Sequence, residues 1–69
     1  MLTTFLTEHR KAAGLTQAQL AEDVGVSRKT INTIENQVFM PSTLLALKLA
    51  KALDVTVHDL FELQDKNAT

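Results

Sequence analysis

Between Thr16 and Ser27 the chain carries a helix start, a helix stop and a second helix start, and this punctuation limits its fold more than any other feature. Gln19 stands three positions after Thr16, the capping-box spacing in which each side chain serves a backbone donor at a helix N-terminus. Gly25 supplies the left-handed backbone of a sharp turn, and Ser27 is placed to cap the helix that follows. Two short helices, from about Gln17 to Val24 and from Arg28 to Asn36, are therefore expected to meet at an angle.

Such a pair is stable only if its contact face is small and apolar. Leu20 and Val24 lie one turn apart, as nearly do Ile31 and Ile34, while Val26 can plug the corner and Ala21 allows a close crossing. At about 100° per residue, Ile31 and Ile34 mark the inner side of the second helix. Arg28, Lys29, Asn32, Thr33 and Asn36 then fall on the opposite arc.

The rest of the chain also reads as helix. Leu2, Phe5, Leu6, His9 and Ala13 recur on one face before Gly14, predicting a first helix from Leu2 to Ala13. Ser42 caps a fourth helix reaching about Leu53, expected to be the most buried, with Leu44, Leu45, Leu47, Leu49 and Ala50 favouring it. Thr56 and Asp59 repeat the cap spacing for a last helix to about Leu63, in which Val57, Leu60 and Phe61 face inward and Leu63 lies partly outside. The expected architecture is all-α, five helices in one compact domain over residues 1–63, with 64–69 a flexible tail.

Composition removes several classes of function. The 69 residues include no cysteine, so neither a disulfide nor a thiolate metal site is available. His9 and His58 sit on different expected helices without the spacing of a zinc motif, and no metal or other cofactor is expected. Ser27 and Ser42 are accounted for as caps, no glycine-rich phosphate loop occurs and the carboxylates are scattered, so no enzyme is expected. No apolar run approaches the roughly 20 residues of a bilayer span and the N-terminus lacks a signal-peptide pattern, which predicts a cytoplasmic protein without a membrane partner.

Net charge is −1. Its distribution is uneven: Arg10, Lys11, Arg28, Lys29, Lys48 and Lys51 against Glu8, Glu22, Asp23 and Glu35 leave the first 51 residues at +2. Beyond them Lys66 faces Asp54, Asp59, Glu62 and Asp65, a balance of −3. One basic side suits a protein that meets a phosphate surface with that side alone, although solvated helices often show such asymmetry.

The exposed arc of the third helix has the chemistry of a major-groove reader. Arg bridges guanine O6 and N7, Asn bridges adenine N6 and N7, and Thr touches the thymine methyl. The same residues are ordinary helix-surface composition, so the inward pattern carries the reading.

Gly14-Leu15-Thr16-Gln17, Leu20-Ala21, Val24-Gly25-Val26-Ser27-Arg28, Thr30-Ile31, Ile34-Glu35-Asn36 and Pro41-Ser42 together resemble the lambda-repressor-like, Cro-type (XRE) family of helix-turn-helix DNA-binding proteins. The likeness continues through Ala46-Leu47-Lys48-Leu49-Ala50 and from Val55 to Phe61. It implies Ser27, Arg28, Lys29, Asn32 and Thr33 as base-proximal residues and Thr16, Gln17 and Asn36 as phosphate contacts. A helix N-terminus at Gln17 suits an anion, since its free N–H groups carry partial positive charge. The resemblance also implies a structural ion pair between Arg10 and Glu35, and homodimers that read half-sites about 34 Å apart.

Two departures lie in the loop after the third helix. Gln37 occupies a position where the family usually has glycine, and Val38, Phe39 and Met40 are all apolar where polar or basic residues are common. Phe39 is expected in the core, with Val38 or Met40 exposed at a partner surface near the dyad or gathered in a local loop core. The function expected is that of a sequence-specific double-stranded DNA-binding regulator, a repressor dimer on a pseudo-palindromic operator. The alternative is a protein-binding module such as an antitoxin or a bridging adaptor.

Overall fold

The computed structural model describes residues 2–63; the tail expected over 64–69 lies outside the described residues. Five helices follow in order: α1 (Leu6–Ala12), α2 (Gln17–Val24), α3 (Arg28–Glu35), α4 (Thr43–Leu53) and α5 (Val57–Leu60). A minor two-stranded antiparallel sheet joins the ends, β1 (Leu2–Thr4) against β2 (Phe61–Leu63), with Leu2 opposite Leu63 and Thr4 opposite Phe61.

The caps form as local chemistry requires. Thr16 Oγ1 accepts from Gln19 N at 3.0 Å while Gln19 Oε1 accepts from Thr16 N at 2.8 Å, closing a capping box over α2. Thr56 and Asp59 close a second over α5, at 3.1 and 2.9 Å. Ser27 and Ser42 each accept one backbone N–H, from Thr30 and Leu45 respectively. Gly25 ends α2 at φ 75°, and its turn directs Val26 N to Ala21 O at 3.0 Å.

Leu6, Leu20, Ala21, Val24, Ile31, Ile34, Leu45, Leu49, Ala50, Leu53, Leu60 and Phe61 form one core. The inner residues expected of α2 and α3 are all in it or, for Val26, packed against it. Helix α4 contributes four core residues yet leaves Leu44 and Leu47 exposed on its other side.

The ends of the chain differ from the sequence expectation. Residues 2–4 form a strand rather than the first turn of a helix, and the last helix stops at Leu60 instead of reaching Leu63. Thr3 and Thr4 are β-branched and suited to extended backbone, and the partner strand satisfies groups that a helix N-terminus would leave open. Phe61 adopts φ −133° and ψ 136°, so it enters the core from a strand and not from a helix face. Phe5 N donates to Leu60 O at 2.7 Å, and Leu6 N donates to Thr4 Oγ1 at 3.2 Å where α1 begins. Ala13, expected on the inner face of the first helix, is exposed, while His9 is half-buried.

The loop after α3 also corrects an expectation. Phe39 is not in the core: it is 48% exposed, beside Val38 at 78% and Met40 at 67%. Gln37 takes the left-handed conformation despite its side chain, at φ 61°. Its Oε1 accepts from Thr4 N at 3.0 Å, so the residue that makes the turn also holds β1. Val38 N and Phe39 N both donate to Thr33 O, at 2.9 and 3.3 Å, folding the loop back on the end of α3 and away from the interior.

Candidate nucleic-acid interface

Helix α3 stands on Ile31 and Ile34, which are 0% and 1% exposed, and turns its other side outward. Arg28, Lys29 and Asn36 are exposed; Asn32 and Thr33 are half-buried. Asn36 is the residue after the last helical one and its N–H donates to Asn32 O at 3.0 Å. These side chains and Ser27 therefore share one face of the molecule, with the ends of α2 and α3 at its border.

Glu35 is the hub behind that face. Arg10 Nε donates to Glu35 Oε2 at 2.6 Å and its second terminal nitrogen to Glu35 Oε1 at 3.3 Å, a two-pronged pairing of planar groups. The two side chains are 11% and 5% exposed. The remaining terminal nitrogen of Arg10 donates to Leu15 O at 2.8 Å, joining α1, the turn before α2 and α3. Burial pushes the Glu35 carboxyl up, but hydrogen bonds from Arg10, Gln17 and Thr7 and the Arg10 charge outweigh it, and the pKa lies below the ordinary 4.5.

Gln17 belongs to the same network. Its Nε2 donates to Glu35 Oε1 at 2.9 Å and to Asn32 Oδ1 at 3.2 Å, so both amide protons point into the protein. A phosphate at this corner would be met by the backbone N–H groups that open α2, which have no helical acceptor, rather than by the side-chain donor. Asn32 has its oxygen engaged by Gln17, while its Nδ2 donates to no partner among the described residues. Sequence reasoning did not find this link, because Gln17 lies 15 residues from Asn32 and 18 from Glu35 and no local spacing signals it.

The hydroxyls of the face are also engaged. Ser27 Oγ accepts from Thr30 N at 3.1 Å and lies 3.0 Å from Thr30 Oγ1, and Thr33 Oγ1 donates to Thr30 O at 2.9 Å. Ser27 and Thr33 consequently bring hydrocarbon to the surface more than free donors. Thr16, through its capping box, is likewise occupied by α2 itself. Strongly polar donors on the face come from Arg28, Lys29, Asn32 and Asn36.

Two short helices packed through apolar inner faces and joined through a left-handed glycine, with basic and amide side chains on the outward face of the second, are the geometry of a helix-turn-helix. A helix-turn-helix family model matches residues 6–60. The chain belongs to the XRE-type helix-turn-helix family of transcriptional regulators. It is 44% identical over 68 residues to an HTH-type transcriptional regulator of Methanothermobacter thermautotrophicus, covering 97% of this chain and 99% of that protein. It is 33% identical over 55 residues to the phage CTXphi transcriptional repressor RstR of Vibrio cholerae, covering 80% of this chain and 49% of RstR. Among solved structures it is similar to SinR, the master regulator for biofilm formation from Bacillus subtilis, in complex with DNA. That likeness has a TM-score of 0.72 at 33% identity, over 77% of this chain and 86% of the SinR chain in that complex. No helix among the described residues is long and apolar enough to cross a membrane, and no cluster of metal-ligating side chains occurs among them.

Proposed function

We propose that this regulator represses transcription by occupying a pseudo-palindromic operator as a homodimer, reading each half-site with the outward face of α3 in the major groove. The observation that carries the reading is the rigid mounting of that face: Ile31 and Ile34 anchor α3 in the core while Arg10, Gln17 and Glu35 brace it from behind. Arg28, Lys29, Asn32 and Thr33 reach base edges, with Ser27 at the helix start, and the openings of α2 at Thr16 and Gln17 and of the loop at Asn36 meet phosphate. The likenesses to the repressor RstR and to DNA-bound SinR support the same reading. The chain works in the cytoplasm and occupancy needs no cofactor.

A second copy is the partner that the apolar side of α4 suits. Leu44 and Leu47, one turn apart, are 64% and 55% exposed, and Leu47 lines a groove with Leu2, Pro41, Ala46, Val57 and Phe61. A two-fold pairing through it would present two reading helices, the arrangement that reads a pseudo-palindrome with half-sites about 34 Å apart.

Selection from random duplexes tests the function. The expected product is an enriched palindrome whose affinity falls steeply with salt, because bound phosphates release counterions. A chain that enriches no sequence, yet is stable and folded, refutes base reading and favours a module that binds protein instead.

A further inference from the structure

We propose that Val38 and Phe39, which lie outside the helix-turn-helix, complete a thymine-reading notch on the flank of α3, with Lys29 donating to the thymine O4. The inference rests on the base-reading function above and goes beyond it by assigning a specific base to a specific groove. That groove is lined by Ser27, Lys29, Thr30, Thr33, Val38 and Phe39. Lys29 and Thr33 belong also to the outward face of α3, so the groove is continuous with the surface that meets base edges.

Its chemistry is selective. Each of the three hydroxyls lining it, those of Ser27, Thr30 and Thr33, has a partner inside the protein. What remains toward the groove is hydrocarbon from the threonine side chains, Val38 and Phe39, together with one ammonium group at Lys29. In the major groove thymine alone presents a methyl group beside an acceptor, its C5-methyl next to O4. Cytosine offers an amino donor in the position of O4, which a lysine repels, and the purines have no methyl.

The wall is held in place rather than loosely hung. Val38 N and Phe39 N share Thr33 O as acceptor, at 2.9 and 3.3 Å, and the left-handed turn at Gln37 is tied to β1 through Thr4. Two large apolar side chains are thereby kept exposed beside the reading helix, at 78% and 48%, where the core offers them no place. Covering them with a methyl group and the hydrocarbon edge of a base removes that surface from water.

The test uses the full chain and the site it enriches. Single thymines of that site are replaced by uracil, which keeps O4 and lacks only the methyl, and affinity is measured for the wild type and for Phe39→Ser, Phe39→Leu and Val38→Thr. One methyl buried against hydrocarbon corresponds to roughly a three- to fourfold change in affinity. The expected result is a loss of that size at one thymine per half-site in the wild type and in Phe39→Leu, and none in Phe39→Ser. Val38→Thr, nearly the same shape, should reduce the sensitivity without disturbing the fold, and Lys29→Met should weaken the thymine and uracil duplexes alike. Equal uracil sensitivity in wild type, Phe39→Ser and Val38→Thr overturns the proposal, as does a site with no uracil-sensitive position. A wild-type chain that enriches no duplex overturns base reading itself, and the notch with it, so the two failures are distinguishable.

Discussion

Replacing Arg10 and Glu35 one at a time and then together measures what the bracing of α3 is worth. Glu35→Leu leaves the Arg10 guanidinium, 11% exposed, with Leu15 O as its partner. Stranding one member of a buried pair costs about 3–5 kcal/mol, and the slight exposure of Arg10 allows it to reach water, which places the expected loss near about 3 kcal/mol. Arg10→Met leaves the Glu35 carboxylate with Gln17 as donor and removes the donor from Leu15 O, also about 3 kcal/mol. The double replacement leaves no unpaired charge; its cost is confined to the lost partners of Leu15 O and Gln17, again about 3 kcal/mol in all. The pair therefore couples by about 3 kcal/mol, a large share of the roughly 3–10 kcal/mol expected of a chain this size. Urea unfolding followed by circular dichroism reads it: at about 1 kcal/mol per M, each single variant and the double should unfold about 3 M earlier than the wild type. A double variant that loses the sum of the two singles would refute the coupling, and with it the view that Glu35 acts on α3 through Arg10.

Other perturbations probe the cap, the turn, the dimer and the pH response. Thr16→Ala removes the acceptor for Gln19 N and should lower the unfolding free energy by about 1 kcal/mol, checked by the same urea titration. Asp54 ends α4 in the left-handed region at φ 56°, so Asp54→Gly should raise thermal stability by a few tenths to about 1 kcal/mol, read as a higher melting temperature. Leu44→Glu with Leu47→Glu should turn a dimer into a folded monomer by sedimentation and greatly reduce operator affinity; an unchanged sedimentation coefficient argues for another interface. Glu35 and Asp59 both have pKa values held below their ordinary 4.5 and 3.8, Asp59 by the Thr56 backbone and side-chain hydrogen bonds. Their folded-state contribution is complete above those ordinary values and is lost as pH falls through the lowered ones. The urea midpoint should thus be steady from neutral pH to about pH 5 and fall below about pH 4.5, and Glu35→Gln should flatten part of that fall.

Much of this molecule was legible from local sequence because its decisive signals act over three or four residues. Thr16 with Gln19, Ser27 before Thr30, Ser42 before Leu45 and Thr56 with Asp59 each close a cap within one turn, and Gly25 sets its own backbone. The inward positions of α2 and α3 follow from helical periodicity alone. The tertiary structure decided whatever needs a partner far along the chain. Leu2 to Thr4 became a strand because Phe61 to Leu63 lies beside it, a pairing of the two ends that no local pattern announces. Gln17 turned its amide inward because folding brought Asn32 and Glu35 to it. Phe39 stayed outside because two backbone hydrogen bonds to Thr33 O and a strained turn at Gln37 hold the loop against α3. Hydrophobicity alone would have buried it, since apolar character says that a side chain gains from leaving water but not what surface will cover it.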